Sequence, residues 1–157
     1  MRIRRATTAD LDAAARLGAL LLRVHYEFDQ KRFMQPGPGS EEGYTWFLRS
    51  QLHNPDALML VAERDAAVVG YLYASIEPLN WKELRERAGF VHDILVTEES
   101  RGGGVAQALM DEAFTWMRAK NVPRVLLWTA APNDRARRLF ERLGFRPTMV
   151  EMTKELD

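Results

Sequence analysis

Apolar residues recur along this chain with two periods, three to four residues in some stretches and two in others. That pattern predicts helices and strands in alternation. Leu11, Ala14, Ala15, Leu17 and Leu21 share a helical face, with capping oxygens on Thr7, Thr8 and Asp10 before them. A helix is therefore expected over residues 8–25, after an opening strand at residues 1–5. Pro36-Gly37-Pro38-Gly39 must interrupt the pattern, and Tyr44, Phe47, Leu48 and Leu52 resume it as a second helix over residues 41–53. Residues 58–64 and 68–76 are β-like runs around a polar break at Asp65, which reads as a hairpin. Residues 78–89 carry one helical turn at most. A strand over residues 90–97 leads to a helix over 104–120, where Val105, Leu109, Ala113 and Met117 repeat every four residues until Asn121 and Pro123 end it. A strand over 124–129, a helix over 133–143 and a last strand near 149–154 complete the expectation.

Composition narrows the class. The 157 residues are 46% hydrophobic and 28% charged, which suits one globular domain spanning residues 1–157. The apolar runs are too short to span a bilayer, and the basic start Met1-Arg2-Ile3-Arg4-Arg5 is not followed by an apolar signal core. A cytoplasmic protein with no membrane partner is expected. There is no cysteine, so disulfides, a thiolate nucleophile and Cys-ligated metals are excluded. A formal net charge of zero argues against a general nucleic-acid binder while allowing a local anion site. A homodimer is compatible with this reading.

Candidate chemistry concentrates where the strand over 90–97 meets the following helix. Arg101, Gly102, Gly103, Gly104, Val105 and Ala106 form a Gly-rich loop whose backbone N–H groups can turn toward an anion. The positive end of the helix adds to the attraction. A Walker loop needs Lys and then Ser or Thr after its last glycine, and Val105-Ala106 stand there instead. A dinucleotide fingerprint needs a further small residue at Gln107 and an acid near Asn121, and has neither.

Two spaced motifs carry a resemblance. Arg101-x-x-Gly104-x-Ala106 between strand and helix, followed after the next strand by Asn133-x-x-Ala136-x-x-x-Phe140-x-x-x-Gly144-Phe145, resembles the GNAT superfamily of N-acetyltransferases from about residue 68 to 154. The resemblance implies an α/β (α+β) fold: a twisted, mixed, mostly antiparallel sheet flanked by helices, with two splayed parallel central strands. It also implies acetyl-CoA as co-substrate without a metal, and a primary amine of a small molecule or peptide as acceptor. The pyrophosphate would rest on Arg101 and the N–H groups of Gly102, Gly103, Gly104, Val105 and Ala106. The pantetheine arm would pair with the strand at Ile94, Leu95 and Val96, and Asn133, Ala136 and Phe140 would line its far side.

Acetyl transfer requires a neutral amine, and a free alkylamine is only about 0.1% neutral at pH 7. His92 is the candidate base, since strand alternation puts it on one face with Ile94 and Val96 and Asp93 on the other. The family often has Glu at this point, acting through water. The competing reading of His92 is a core histidine with satisfied hydrogen bonds. The Val96 N–H would hold the developing oxyanion. Phe140 stands where many family members have a Tyr that protonates the departing thiolate, so that role is unfilled or has moved, with Tyr73, Tyr44 and Thr129 as substitutes. His25, Tyr26, Asp29, Tyr73 and Trp81, with Glu27, Glu41 and Glu42 nearby, form an acidic and aromatic acceptor set, although a solvated charged face would look the same. Trp128 reads as core. Two other readings remain: a non-catalytic acyl-CoA-binding or regulatory domain, motivated by Phe140, and a dinucleotide-binding protein.

Overall fold

The computed structural model describes residues 1–156. Five strands form one sheet in sequence order: β1 (Arg2–Arg5), β2 (Ala57–Arg64), β3 (Ala67–Glu77), β4 (Ala88–Val96) and β5 (Val125–Leu127). The first four pair antiparallel and β5 joins β4 in parallel. Helices α1 (Leu11–Phe28) and α2 (Ser40–Gln51) cover one face, and α3 (Val105–Ala119) covers the other. A short α4 (Asp134–Arg142) follows β5.

The β2–β3 turn sits at Asp65 and Ala66, both with positive φ, as a tight two-residue hairpin requires. β3 shows why the sheet holds two cores. Its even positions, Leu72, Ala74 and Ile76, pack with Leu109, Met110, Ala113 and Met117 of α3. Its odd positions Tyr71 and Tyr73 pack with Leu11, Ala14, Leu17 and Leu48 of α1 and α2. Gly18 is required at the α1–α2 crossing, because a Cβ there would lie 2.5 Å from the Tyr44 ring.

Two expectations fail at the sheet's far edge. The last strand near residues 149–154 does not form; those residues are exposed and unpaired, with Glu151 tied to Arg32 by an ion pair. β5 offers only three residues as a template, too few to fix another strand in register. Trp128, expected in the core, is 72% exposed just past the end of β5, with its ring edge on Phe90. Among the described residues no helix is long and apolar enough to cross a membrane.

Asp10 ties the start of the chain to the sheet. Its carboxylate accepts from Arg4 at 2.7 Å and from the Thr7 N–H at 2.8 Å, and Arg4 also reaches Glu63 on β2. The Arg4 guanidinium holds the Asp10 carboxyl down to about 2, from an ordinary 3.8. Between those values the folded chain binds fewer protons than the unfolded chain, so stability rises with pH through the window. Asp10→Asn should cost ~2 kcal/mol at neutral pH. Urea unfolding should show the wild type losing that advantage as pH falls from about 4 to about 2.

Candidate active site

β4 and β5 pair only at Gly89–Val125, Phe90–Leu126 and Val91–Leu127, and then part. Beyond Val91, the β5-facing edge of β4 has no strand beside it. The register shows which groups lie there. The Thr97 N–H bonds the Val69 carbonyl, so Leu95 with Tyr71 and Asp93 with Tyr73 are the hydrogen-bonded pairs that follow. Ile94 and Val96 therefore turn their N–H and C=O groups into the split, while the Leu95 backbone faces β3 and its side chain is buried. Of the three residues expected to meet an extended ligand, two turn backbone N–H groups into the split, although the Val96 carbonyl is taken by Arg101.

The Gly-rich loop lies at the foot of this split, between a short 3-10 turn at Glu98–Ser100 and α3. Gly102 and Gly104 adopt φ of +78° and +75°, the left-handed region that favours glycine. A Cβ added to either would meet nothing within 4 Å. The N–H groups of Gly102, Gly103, Gly104, Val105 and Ala106 have no acceptor among the described residues. Arg101 is folded back, its Nε donating to the Val96 carbonyl at 3.2 Å, which links the loop to the strand edge. Past β5, the Thr129 hydroxyl is a buried oxygen without a hydrogen-bond partner. Free amides at a helix start, a free strand edge and an orphaned hydroxyl together suit an anionic, amide-bearing, extended ligand.

His92 departs from the alternation expected of it. Tyr73 pairs with Asp93 but Ala74 pairs with Val91, so His92 is the extra residue of a β-bulge. The bulge turns His92 and Asp93 to the same side. Ile94 and Val96 pack toward α3, whereas His92 lies on the α1–α2 face, its ring between Phe90 at 4.7 Å and Tyr73 at 5.2 Å. The expectation that His92 shares a face with Ile94 and Val96, opposite Asp93, is thus corrected. Its Nε2 meets the Ser75 Oγ at 2.7 Å and Glu77 Oε1 at 3.2 Å. The side chain remains 33% exposed, so it is not a core histidine. Ser75 and Glu77 were missed from sequence, although Tyr71, Tyr73, Ser75 and Glu77 alternate along β3 as a polar and aromatic row.

Asp93 is half-buried beneath this surface and accepts from the Tyr71 hydroxyl at 2.6 Å. Burial raises its carboxyl above the usual range, with His92 and His25 opposing the rise. His25, on α1, is bonded through Nδ1 to the Leu21 carbonyl and packed on Phe28 and Phe33. Asp29 instead accepts from the Lys31 and Arg32 N–H groups and serves its own loop. Tyr26 is partly buried on α1. Trp81 is 82% exposed on the β3–β4 connection, which the Asn80–Arg85 bridge closes. Glu41 and Glu42 line grooves beside α1 and α2 with Arg16, Arg23 and Arg49.

On α4, the Asn133 side chain caps the helix by accepting from the Ala136 N–H at 3.1 Å. Phe140 is buried with its ring edge against Phe145. Among the substitutes for a missing tyrosine acid, Tyr44 is spent on packing against α1, and burial raises its phenol. Burial pushes the Tyr73 phenol up to about 12, so it keeps its proton at neutral pH. Among the described residues no three His, Asp or Glu side chains converge to hold a metal ion.

Known proteins resemble this chain in sequence and fold. The model of the Acetyltransferase (GNAT) family matches residues 22–145. An uncharacterized N-acetyltransferase of Archaeoglobus fulgidus is 31% identical over 150 residues, with 93% of each chain covered. An N-alpha-acetyltransferase of Sulfurisphaera tokodaii is 29% identical over 154 residues, covering 95% of this chain and 82% of the relative. An aminoglycoside N-acetyltransferase solved with the bisubstrate analog CoA-S-monomethyl-acetylneamine superposes with a TM-score of 0.77 at 18% identity, covering 99% of this chain and 97% of the other. At that identity the likeness is one of fold.

Proposed function

The chain belongs to the GNAT family of acetyltransferases, and on that premise we propose that it moves an acetyl group from acetyl-CoA to a primary amine of a small molecule or peptide by direct attack. The observation that carries the reading is the β4–β5 split with the Ile94 and Val96 amides facing it and the free N–H groups of residues 102–106 at its foot. Acetyl-CoA, when bound, supplies a thioester whose carbonyl carbon accepts the amine as its bond to sulfur breaks. Residues 102–106 and Arg101 would hold the pyrophosphate, and Ile94 and Val96 would pair with the pantetheine amides. His92 would take the amine proton, directly or through one water, and the Val96 N–H would stabilise charge on the carbonyl oxygen. The ring wall of Tyr73, Phe90 and Trp128, with Glu77 beside it, suits a cationic amine. The neighbouring N-alpha-acetyltransferase and aminoglycoside acetyltransferase point to peptide and amino-sugar amines as the first acceptors to try.

A thiol-release assay over a panel of such amines, with the product checked by mass spectrometry, tests this function. Turnover on at least one amine is expected. Tight acetyl-CoA binding without turnover on any of them would favour a non-catalytic acyl-CoA-binding domain. The departing thiolate leaves without the tyrosine acid common in the family, because Phe140 has no proton to give. Phe140→Tyr is therefore expected to raise kcat up to ~10-fold. A neutral or slower variant in steady-state kinetics would show that protonation of the thiolate does not limit the rate.

A further inference from the structure

We propose that Ser75 and Glu77 are positioning residues that fix which nitrogen of His92 is the base: Nε2 carries the hydrogen, and Nδ1 is left to accept the amine proton. The inference rests on the acetyl-transfer reading above and adds to it the atom at which the proton arrives and two residues of β3.

The hydrogen-bond geometry leaves one consistent arrangement. A carboxylate only accepts, so the 2.5 Å contact between the Ser75 Oγ and Glu77 Oε1 takes the single hydroxyl proton of Ser75. The Ser75 Oγ must then act as acceptor in its 2.7 Å contact with His92 Nε2, and Glu77 Oε1 accepts from the same nitrogen at 3.2 Å. Nε2 is a donor in both bonds. Nδ1 has no hydrogen-bond partner among the described residues, so in the neutral ring it holds the free lone pair.

Packing prevents the ring from evading this arrangement. Tyr73 and Phe90 lie against its two sides at 5.2 and 4.7 Å, with interplanar angles of 25° and 20°. A flip of the ring would carry Nε2 away from both acceptors. The bulge supplies the remaining part. Without the extra residue in β4, regular alternation would not place His92 and Asp93 on the same face. The charged and titratable groups facing His92 are Glu77 and Tyr73 from β3 and Asp93 from its own strand, with His25 of α1 behind Asp93. Glu77 is the anion that touches the ring. Glu77 meets the ring at Nε2 and makes no hydrogen bond to Nδ1.

Long-range nitrogen–proton NMR of histidine-labelled protein, at a pH where the ring is neutral, reads the tautomer without any substrate. The wild type should show His92 with the hydrogen on Nε2. Glu77→Gln should give a mixed or reversed tautomer, because an amide can turn its NH2 toward Nε2, and should lower kcat ~10-fold or more, since general-base catalysis contributes about 10²–10⁴-fold. Its KM for acetyl-CoA should stay unchanged. Ser75→Ala should shift the tautomer in the same direction and serves as the second variant should Glu77→Gln fold poorly. A wild-type ring with the hydrogen on Nδ1, or an unaltered tautomer and rate in both variants, would overturn the assignment. The same spectra keep this test separate from the base itself. An undiminished rate in His92→Ala would remove the acetyl-transfer role of the ring, while an Nε2–H tautomer would still support the assignment of the Ser75–Glu77 bonds.

Discussion

Replacing His92 with Ala is expected to lower kcat for acetyl transfer by ~10²-fold or more, with acetyl-CoA affinity little changed. The size follows from the role: a positioned base that takes the proton as the amine attacks contributes about 10²–10⁴-fold. The sparing of the cofactor follows from geometry. His92 sits on the α1–α2 face of β4, whereas the Ile94 and Val96 amides face the β5 side and the Gly-rich loop lies beyond them. The variant should fold, because the ring is partly exposed and the two rings beside it, Tyr73 and Phe90, are held by other contacts. Steady-state kinetics with acetyl-CoA titration separates the two effects. An unchanged kcat would remove His92 from the mechanism.

The second large effect lies in the loop. Gly104→Val should reduce acetyl-CoA affinity by ~10²-fold, as expected from losing one or two charge-assisted hydrogen bonds of about 1.5–3 kcal/mol each. Gly104 holds φ of +75° at the N-cap of α3, a conformation that costs a β-branched residue about 1–2 kcal/mol. Relieving that strain would rotate the neighbouring N–H groups away from a common anion. Nothing in the protein itself lies within 4 Å of the added Cβ, so packing without ligand should survive. Thermal unfolding should show a drop of a few degrees without ligand and loss of most of the acetyl-CoA-dependent rise. A full ligand-dependent rise in the variant would place the pyrophosphate elsewhere.

The sequence revealed the elements that carry a strong local signal. The four-residue repeat of Val105, Leu109, Ala113 and Met117 identified α3, and the glycines that precede it take the left-handed geometry that a phosphate loop uses. The mixed sheet with a splayed parallel pair is present as the family resemblance implied, and the match to residues 22–145 agrees. Other features depend on long-range partners and were not legible. Strand alternation put His92 on the wrong face because a bulge leaves no mark in a single strand; it arises from how β4 registers with β3. Trp128 has the composition of a core residue, yet the parting of β4 and β5 leaves it at an open edge. A strand was expected near residues 149–154, but β5 is too short to pair with them. Ser75 and Glu77 drew no attention in the sequence, because only the hairpin and the bulge bring them to His92.

The claim on which the rest depends is that the β4–β5 split and the loop at its foot receive acetyl-CoA. Amide-resolved hydrogen exchange with and without acetyl-CoA tests it most directly. Binding should slow exchange at the Ile94 and Val96 amides and at residues 102–106, while Leu95, already bonded within the sheet, changes little. Protection confined to other parts of the chain, or the same small change at Ile94, Leu95 and Val96 alike, would contradict it.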